Sequence, residues 1–589
     1  MLKRLVLAAA IALAATGSAY AQGAQTPSWV ERSNENAKVL LDALAQFNPE
    51  NATQIGLTGY DDKVTDLKPN VDARQRKALV EAKHQLESKL AAEKDPNVRQ
   101  DLQIMIKSAD LSIEGIDLNE KYMLPYQDMG QLIFNGEFAL LRDEVDANRR
   151  PNALKRLQCY VGQAAGCTSL VTLAEAQTAE RLSNQHLLGP YKGNVDQQLS
   201  NSQRYAQGVR QLFDKYKLND AAAKTALDAL DAQLKDYDAW VRKTIVPRQR
   251  TDFRLPEPLY AYNLKNTGVD ISPEELIKQA QLEFSEVRQA MQMMAPVVAK
   301  QEGISATDYR DVLKALKKQQ LGKDEVMPWY HEVIGKIQDT IREQHIVTLP
   351  QREMQIHLAS EAETAATPAP HMDPPPLINN HGERGTFVLT MGNPSASGAS
   401  DAYDDFTYKA AAWSLTSHEG RPGHELQYAA MVERGVSVAR SLFAFNSVNV
   451  EGWALYSEAE MLPYEPPAGQ FITLQLRLMR AARAFLDPML NLGLISKERA
   501  HDVLRYDVGL SEAMTREELD RYTFNSPGQA TAYFYGYMHI QQLRLQTELA
   551  LGNKFNHQAF NDFLIGQGVL PPEQMAEAVR AQFIPSQKK

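Results

Sequence analysis

The stretch Thr416-Ser417-His418-Glu419-Gly420-Arg421-Pro422-Gly423-His424-Glu425-Leu426-Gln427 decides how this chain is read. Metallohydrolases hold an ion between two His on one helix face, with a Glu beside the first as the base. The usual gap is four residues, because such positions lie only about 40° apart around a helix. Here the second His comes six residues on, about 120° round an ideal helix. A straight helix cannot aim both rings at one ion. Pro422 and Gly423 fall inside the gap. Pro removes a backbone donor and disfavours helical geometry at Arg421, and Gly permits unusual dihedrals. Unwinding there returns His424 to the side of His418. If both histidines are ligands, Pro-Gly is what the spacing requires; otherwise the stretch is a loop with two surface histidines.

Downstream lies Asn449-Val450-Glu451-Gly452-Trp453-Ala454-Leu455-Tyr456-Ser457-Glu458. Catalytic zinc sites commonly use three protein ligands and keep one position open. Glu451 is the natural third ligand, on a helix expected over Ser447 to Leu462. Glu451, Leu455, Glu458 and Leu462 share a face of it, and a carboxylate in apolar surroundings needs a partner. Glu458 lies two turns on, roughly 10 Å along the axis. It is too far to share the ion, but it can brace a ligand His or pair with an Arg. His331-Glu332 also begins with His-Glu, but Gly335 stands where the partner is needed, so it reads as a surface pair.

Working outward, most of the chain has helical periodicity. Asp72 to Glu93, Asp220 to Val241 and Pro273 to Val297 carry good helix formers. Ser272-Pro273-Glu274-Glu275 is a helix start, and Ser526-Pro527-Gly528-Gln529 reads as a capping box. Phe471, Leu474, Leu478, Phe485 and Met489 trace one apolar face, with Arg477, Arg480 and Arg483 offset from it. Strand signals are few: Ile346 to Leu349, Met354 to Leu358 and Gly385 to Met391. The Pro-rich stretch SEAETAATPAPHMDPPPLINNHG between the last two reads as a long surface loop without helix. The expected fold is mainly α, a large helical body with a small antiparallel sheet beside a metal-binding cleft. Prolines and basic residues between Val246 and Pro256 mark a boundary between a helical region, 22–255, and a second region, 256–589, that carries the zinc motif. The two can form one continuous cleft-bearing body.

Residues 1–21 stand apart. Lys3 and Arg4 precede an apolar run, Leu5 to Ala15, too short to span a bilayer. Ala19-Tyr20-Ala21 suits cleavage before Gln22, so a signal peptide and a periplasmic or secreted protein are expected. No cysteine sits at the cut, which argues against a lipid anchor. No later stretch is apolar for long enough to span a membrane. With 63 Lys plus Arg against 73 Asp plus Glu, the formal charge of −10 disfavours a nucleic-acid partner, which needs a basic face. The 2 cysteines, Cys159 and Cys167, are close together with Gly162 and Gly166 between them. In an oxidising compartment a short-loop disulfide is the favoured reading.

HEGRPGHELQ, EGWALYSE and SPGQATAYFYG, in this order and spacing, resemble the bacterial domain-of-unknown-function 885 family, whose pattern is HExxPGHHxQ followed by EGWAxYxE. The resemblance runs from about Ala43 to Phe583, and FNDFLIGQGVLPPEQM matches in outline. That family is similar to zinc metallopeptidases of the gluzincin type. The resemblance implies His418, His424 and Glu451 as ligands of Zn2+ and Glu419 as the base that takes a proton from water and passes it to the leaving amine. Tyr533, within the family-like QATAYFYG, is the candidate donor to the oxyanion; its other reading is a packed aromatic. Arg505 and Arg544 are candidates for a substrate carboxylate, each also readable as structural. Gly385 to Leu389 is a candidate strand for pairing with a short, extended peptide. Two departures stand out. Glu425 occupies a position that is often His in the family. Asn491 and Asn561 replace imidazoles in the family's Asp-x-Gly-Leu-His and Phe-His-Asp stretches.

The expected function is thus a zinc-dependent hydrolase of peptide bonds in the periplasm. A non-catalytic periplasmic binding protein that keeps the fold is the alternative. A serine hydrolase is the weaker rival, because Gly398-Ala399-Ser400-Asp401-Ala402 lacks the second Gly of a nucleophile elbow.

Overall fold

The computed structural model describes residues 28–588 except 144, 392, 395–399 and 402. The expected signal segment 1–21 with its cut after Ala21, and Gly398, Ala399 and Ala402 of the serine-rich stretch, lie outside the described residues. The protein is mainly helical. Helices Ser28–Ala45, Val71–Ala92 and Pro96–Tyr122 pack through Leu40, Leu79, Leu86 and Leu102, all fully buried. Val438 and Ala439, from far along the chain, complete that cluster. A second cluster joins Phe134, Tyr160, Phe213, Leu227 and Tyr237. Cys159, on helix Asn152–Tyr160, is disulfide-bonded to Cys167. No described helix is long and apolar enough to cross a membrane.

The largest cluster holds the site. Helix Pro273–Glu302, capped by the Ser272 hydroxyl as its sequence implies, lies along helix Pro467–Asn491. Helix Ser447–Met461 lies against helix Ala532–Leu551. The last two touch backbone to backbone. A Cβ on Gly536 would sit 1.9 Å from the Val448 carbonyl oxygen, and one on Gly452 would sit 2.5 Å from the Gly536 carbonyl carbon. Larger residues would push the pair apart.

The sheet corrects the expectation of an antiparallel one. Strands β1 (Gln355–Leu358), β2 (His371–Asp373) and β3 (Thr386–Leu389) lie in the order β1-β3-β2, with β1 and β3 parallel and β2 and β3 antiparallel. A parallel pair needs a long connection, and the Pro-rich stretch supplies it. That stretch is not all loop: it contains helix Glu361–Ala366, with a capping box from Ser360 and Glu363, and strand β2 itself. β3 is the central strand, so Gly385 to Leu389 has no free edge for a peptide. Ile346 to Leu349 is not a strand; Ile346 and Val347 are buried as core plugs, just after His345 at φ 50°. Ser526 does not cap a helix: a short 3-10 turn, Gln529–Thr531, precedes helix Ala532–Leu551, and Gly528 before it takes φ 93°.

Candidate metal centre

His418 ends helix Ala411–Glu419, and His424 begins helix Gly-capped at Gly423, His424–Arg434. Between them the chain breaks its helix through Gly420, a cis Arg421–Pro422 bond and Gly423. The break is tight. A Cβ on Gly423 would lie 1.9 Å from the His418 carbonyl oxygen and 2.4 Å from that of Ser417. The Pro422 carbonyl accepts a 2.9 Å hydrogen bond from the Trp453 indole, which ties the turn to helix Ser447–Met461. Arg421 and Glu425 form a buried two-pronged ion pair, at 2.6 and 3.2 Å, and Arg421 also donates to the Arg352 carbonyl. Glu425 therefore serves the turn.

The turn brings the two rings to 4.9 Å between centroids, nearly perpendicular. Glu451 reaches across from its own helix, with Oε2 3.5 Å from His418 Nε2 and 3.3 Å from His424 Nε2. One ligand atom from each of the three lies within 4.8 Å of the others. Two imidazoles and a carboxylate are a zinc ligand set. Glu451 Oε2, the oxygen that faces both imidazoles, is buried without a well-formed hydrogen bond, as an atom awaiting a cation is. The residues present fit a divalent metal.

Behind His418 stands Glu458. Its Oε1 is 2.6 Å from His418 Nδ1 and accepts from Arg480 at 3.1 Å, while Oε2 accepts from the Ser414 hydroxyl at 2.9 Å. Both readings of Glu458 thus hold at once: it braces a histidine and pairs with an arginine. Burial alone pushes the His418 imidazole down, but contacts with Glu451 and Glu458, and the charge of Glu419, outweigh that and Arg480 and raise it to about 9. Burial pushes Glu451 up, yet the two imidazoles hold it well below the usual carboxylate range. Glu419 is buried beside them, Oε1 lying 3.9 Å from His418 Nε2.

The Tyr533 ring stacks on His418 at 6.1 Å and 17°. Its oxygen accepts a 2.9 Å hydrogen bond from Arg521. Burial raises the phenol, and Arg521 works against that rise. Gln529 bonds Ser447 and reaches Glu451 Oε1 at 3.5 Å.

The other candidates lie elsewhere. Arg544 pairs with Glu460 and Glu548, and Arg505 donates to the Leu510 carbonyl beside Glu512. His331 and Glu332 sit on the exposed face of helix Lys323–Glu343, where Glu332 pairs with Lys336. Asn561 bonds Tyr456 and the Ile346 carbonyl, and Asn491 bonds Asp487 and the Tyr522 carbonyl. Neither asparagine bonds a member of the trio.

Two cavities of about 670 Å³ each lie next to the centre. Gln529 lines one and Arg521 the other, and they share Tyr191, Phe524, Asn525 and Ser526. His418, His424 and Glu451 line neither. Gln529, which reaches Glu451, and Arg521, which bonds Tyr533, connect these two cavities to the trio.

A family model described as bacterial protein of unknown function (DUF885) matches residues 49–579. The chain belongs to this family. The DUF885 chain shares its fold with two solved structures. One, from Colwellia psychrerythraea and described as a "putative lipoprotein", has a TM-score of 0.75 at 18% identity, covering 94% of this chain and 99% of that one. The other, a "putative lipoprotein of unknown function" from Shewanella oneidensis, has a TM-score of 0.69 at 17% identity, covering 94% of this chain and 100% of that one. Comparison with curated proteins finds no match. Reading the DUF885 motifs alone misses Arg421, Ser414, Gln529 and Arg521. Only Arg480 carried a signal, being an arginine offset from an apolar helix face.

Proposed function

We propose that this DUF885 protein is an exported zinc-dependent peptidase of the gluzincin type. The observation that carries the reading is the convergence of His418, His424 and Glu451, with Glu419 beside them and Glu458 behind His418. A purely structural zinc site has no use for Glu419 as a base. Zinc held by the trio supplies a Lewis acid that polarises a carbonyl and makes water acidic near neutral pH. The chain's own groups do the rest. Glu458 fixes the His418 ring through Nδ1. Glu419 takes the proton of the attacking water and delivers it to the leaving amine. Tyr533 accepts from Arg521, which leaves its own proton free for the developing oxyanion. The cavities beside the centre suit short peptides. Export is supported by the N-terminal sequence and by the names of the two structural relatives.

The test is elemental mass spectrometry of the purified mature protein beside two variants. About one zinc per chain is expected, lost in His424→Ala and kept in Glu419→Gln, which hydrolyses no peptide. Absence of metal from the parent protein, even after zinc is supplied, overturns the reading in favour of a binding protein.

A further inference from the structure

We propose that Arg521 anchors the free C-terminal carboxylate of the peptide, so that the site trims peptides from that end. This rests on the zinc-peptidase reading above. Three guanidiniums face the Tyr533 ring, Arg483 at 4.5 Å, Arg521 at 5.4 Å and Arg480 at 5.9 Å from its centroid. Two have a carboxylate of their own. Arg480 bonds Glu458 at 3.1 Å, and Arg483 grips both oxygens of Glu518 at 2.7 and 2.6 Å. Arg521 does not. Its Nε donates to Gln529 Oε1 at 3.0 Å and its Nη2 to the Tyr533 oxygen at 2.9 Å, both neutral acceptors. Its ion-pair contact is a distant one, Nη1 to Glu518 Oε1 at 3.7 Å, and that carboxylate is already taken by Arg483.

Glu451 also has a charge that favours the Arg521 cation, and Glu517 and Asp487 lie within electrostatic reach of it. A divalent ion on Glu451 would claim that charge. Arg521 is then a largely buried cation short of one anion, which is costly until an anion arrives. Its side chain remains 27% exposed and lines a cavity of about 670 Å³. Acids on the same wall do not answer it. Asp520 pairs with Lys497 and Asp196 with Lys192, while Glu517 accepts from the Tyr403 hydroxyl and is pushed up to about 8 by burial and the Glu518 charge. Asp128 caps its own helix instead, accepting from the Gln131 backbone N–H at 3.0 Å.

A guanidinium edge matches a carboxylate in shape. Gln529 links Arg521 to Glu451, at 3.0 Å on one side and 3.5 Å on the other. The anchor is therefore only a residue or two of extended chain from the metal trio, at ~3.3–3.6 Å per residue. That reach suits a terminal carboxylate, which every peptide carries.

The test uses the full-length, zinc-loaded protein in a Glu419→Gln background, which holds peptide without cutting it. The probe is a mixture of randomised tetrapeptides, in free-acid and C-terminally amidated forms, with retention measured by equilibrium dialysis and mass spectrometry. Free acids should be retained roughly tenfold to a hundredfold better than amides. The ratio should fall to about one in Arg521→Ala and recover in part in Arg521→Lys, which restores charge without the fork. Zinc content and thermal unfolding are followed for each variant. Loss of zinc from the parent defeats the peptidase reading. Zinc retained with acids and amides held equally, with no peptide held, or with acid preference surviving in Arg521→Ala defeats this proposal alone. Retention of amides that carry Asp or Glu would instead make Arg521 a side-chain selector and also overturn it.

Discussion

Gly423→Ala tests whether the Pro-Gly turn sets the metal spacing. The new Cβ would stand 1.9 Å from the His418 carbonyl oxygen, where real Cβ contacts begin at 3.0 Å. The turn must open by roughly 1 Å to accept it, because close-packed interiors absorb little. The obstructing atoms are backbone, on a helix buried over most of its length, so no side chain can rotate away. His418 and His424 sit on either side of the opened turn. Metal–ligand distances tolerate only about 0.2 Å, so one imidazole leaves the set. Zinc affinity should fall by more than the roughly 10–100-fold seen for outer-shell changes. Overpacking itself should cost about 1–3 kcal/mol. The assay is competition against a fluorescent chelator, with urea unfolding of the metal-free protein measured alongside. A Gly423→Ala protein of parental stability and zinc affinity would refute the reasoning.

Glu458→Gln should weaken zinc about 10–100-fold by loosening the His418 ring. It should also cost the metal-free protein about 3–5 kcal/mol, because Arg480 is left buried without its anion; chelator competition and urea unfolding read the two effects, and unchanged zinc affinity removes the bracing role. Gly536→Ala should cost about 1–3 kcal/mol by wedging its helix off Ser447–Met461, and a neutral result in urea unfolding would show that the helices can slide apart freely. Glu465 has one oxygen on Thr473 and the other unpartnered; burial, opposed by Thr473 and aided by Glu458, raises its carboxyl from 4.5 to about 8. The native state therefore holds a proton that the unfolded chain releases, and stability falls as pH rises between those values. Glu465→Gln should gain stability relative to the parent on going from pH 5 to pH 8.5, and a difference in urea midpoint that ignores pH would sink the idea.

The helices were legible because caps and periodicity are local. Ser272 caps its helix as its sequence implies. The capping box Ser360/Glu363 was equally local, but the prolines that follow it hid it inside a stretch that looked like loop. Sheet order was not legible, since parallel or antiparallel pairing depends on where residues 359–385 carry the chain rather than on the strands' own residues. In the site, histidine spacing implied a break at Pro422 and Gly423, because only a break brings those rings together. Arg421–Glu425 and Arg521–Gln529 were not legible. An arginine's partner is set by tertiary packing, and the same residue types on a solvated face look identical in sequence.

The division of labour in the molecule follows from which segments supply what. The proposed metal ligands, base and brace all come from residues 414–458, on elements held by the Gly452–Gly536 contact. The cavities beside them are walled differently. One is bounded by Asp72, Glu120 and Arg181 as well as by Asn525 and Gln529, and the other by Asp128 and Tyr205 as well as by Arg516 and Arg521. Changes in the first 250 residues can therefore alter what reaches the centre without touching a ligand. The reverse does not hold, because Gln529 and Arg521 bond both to each other and to Glu451 and Tyr533, and so join cavity wall and metal trio in one hydrogen-bonded unit. A substrate group that engages Arg521 would act on the same bonds that orient Tyr533, so binding at the wall and alignment at the centre are mechanically one event.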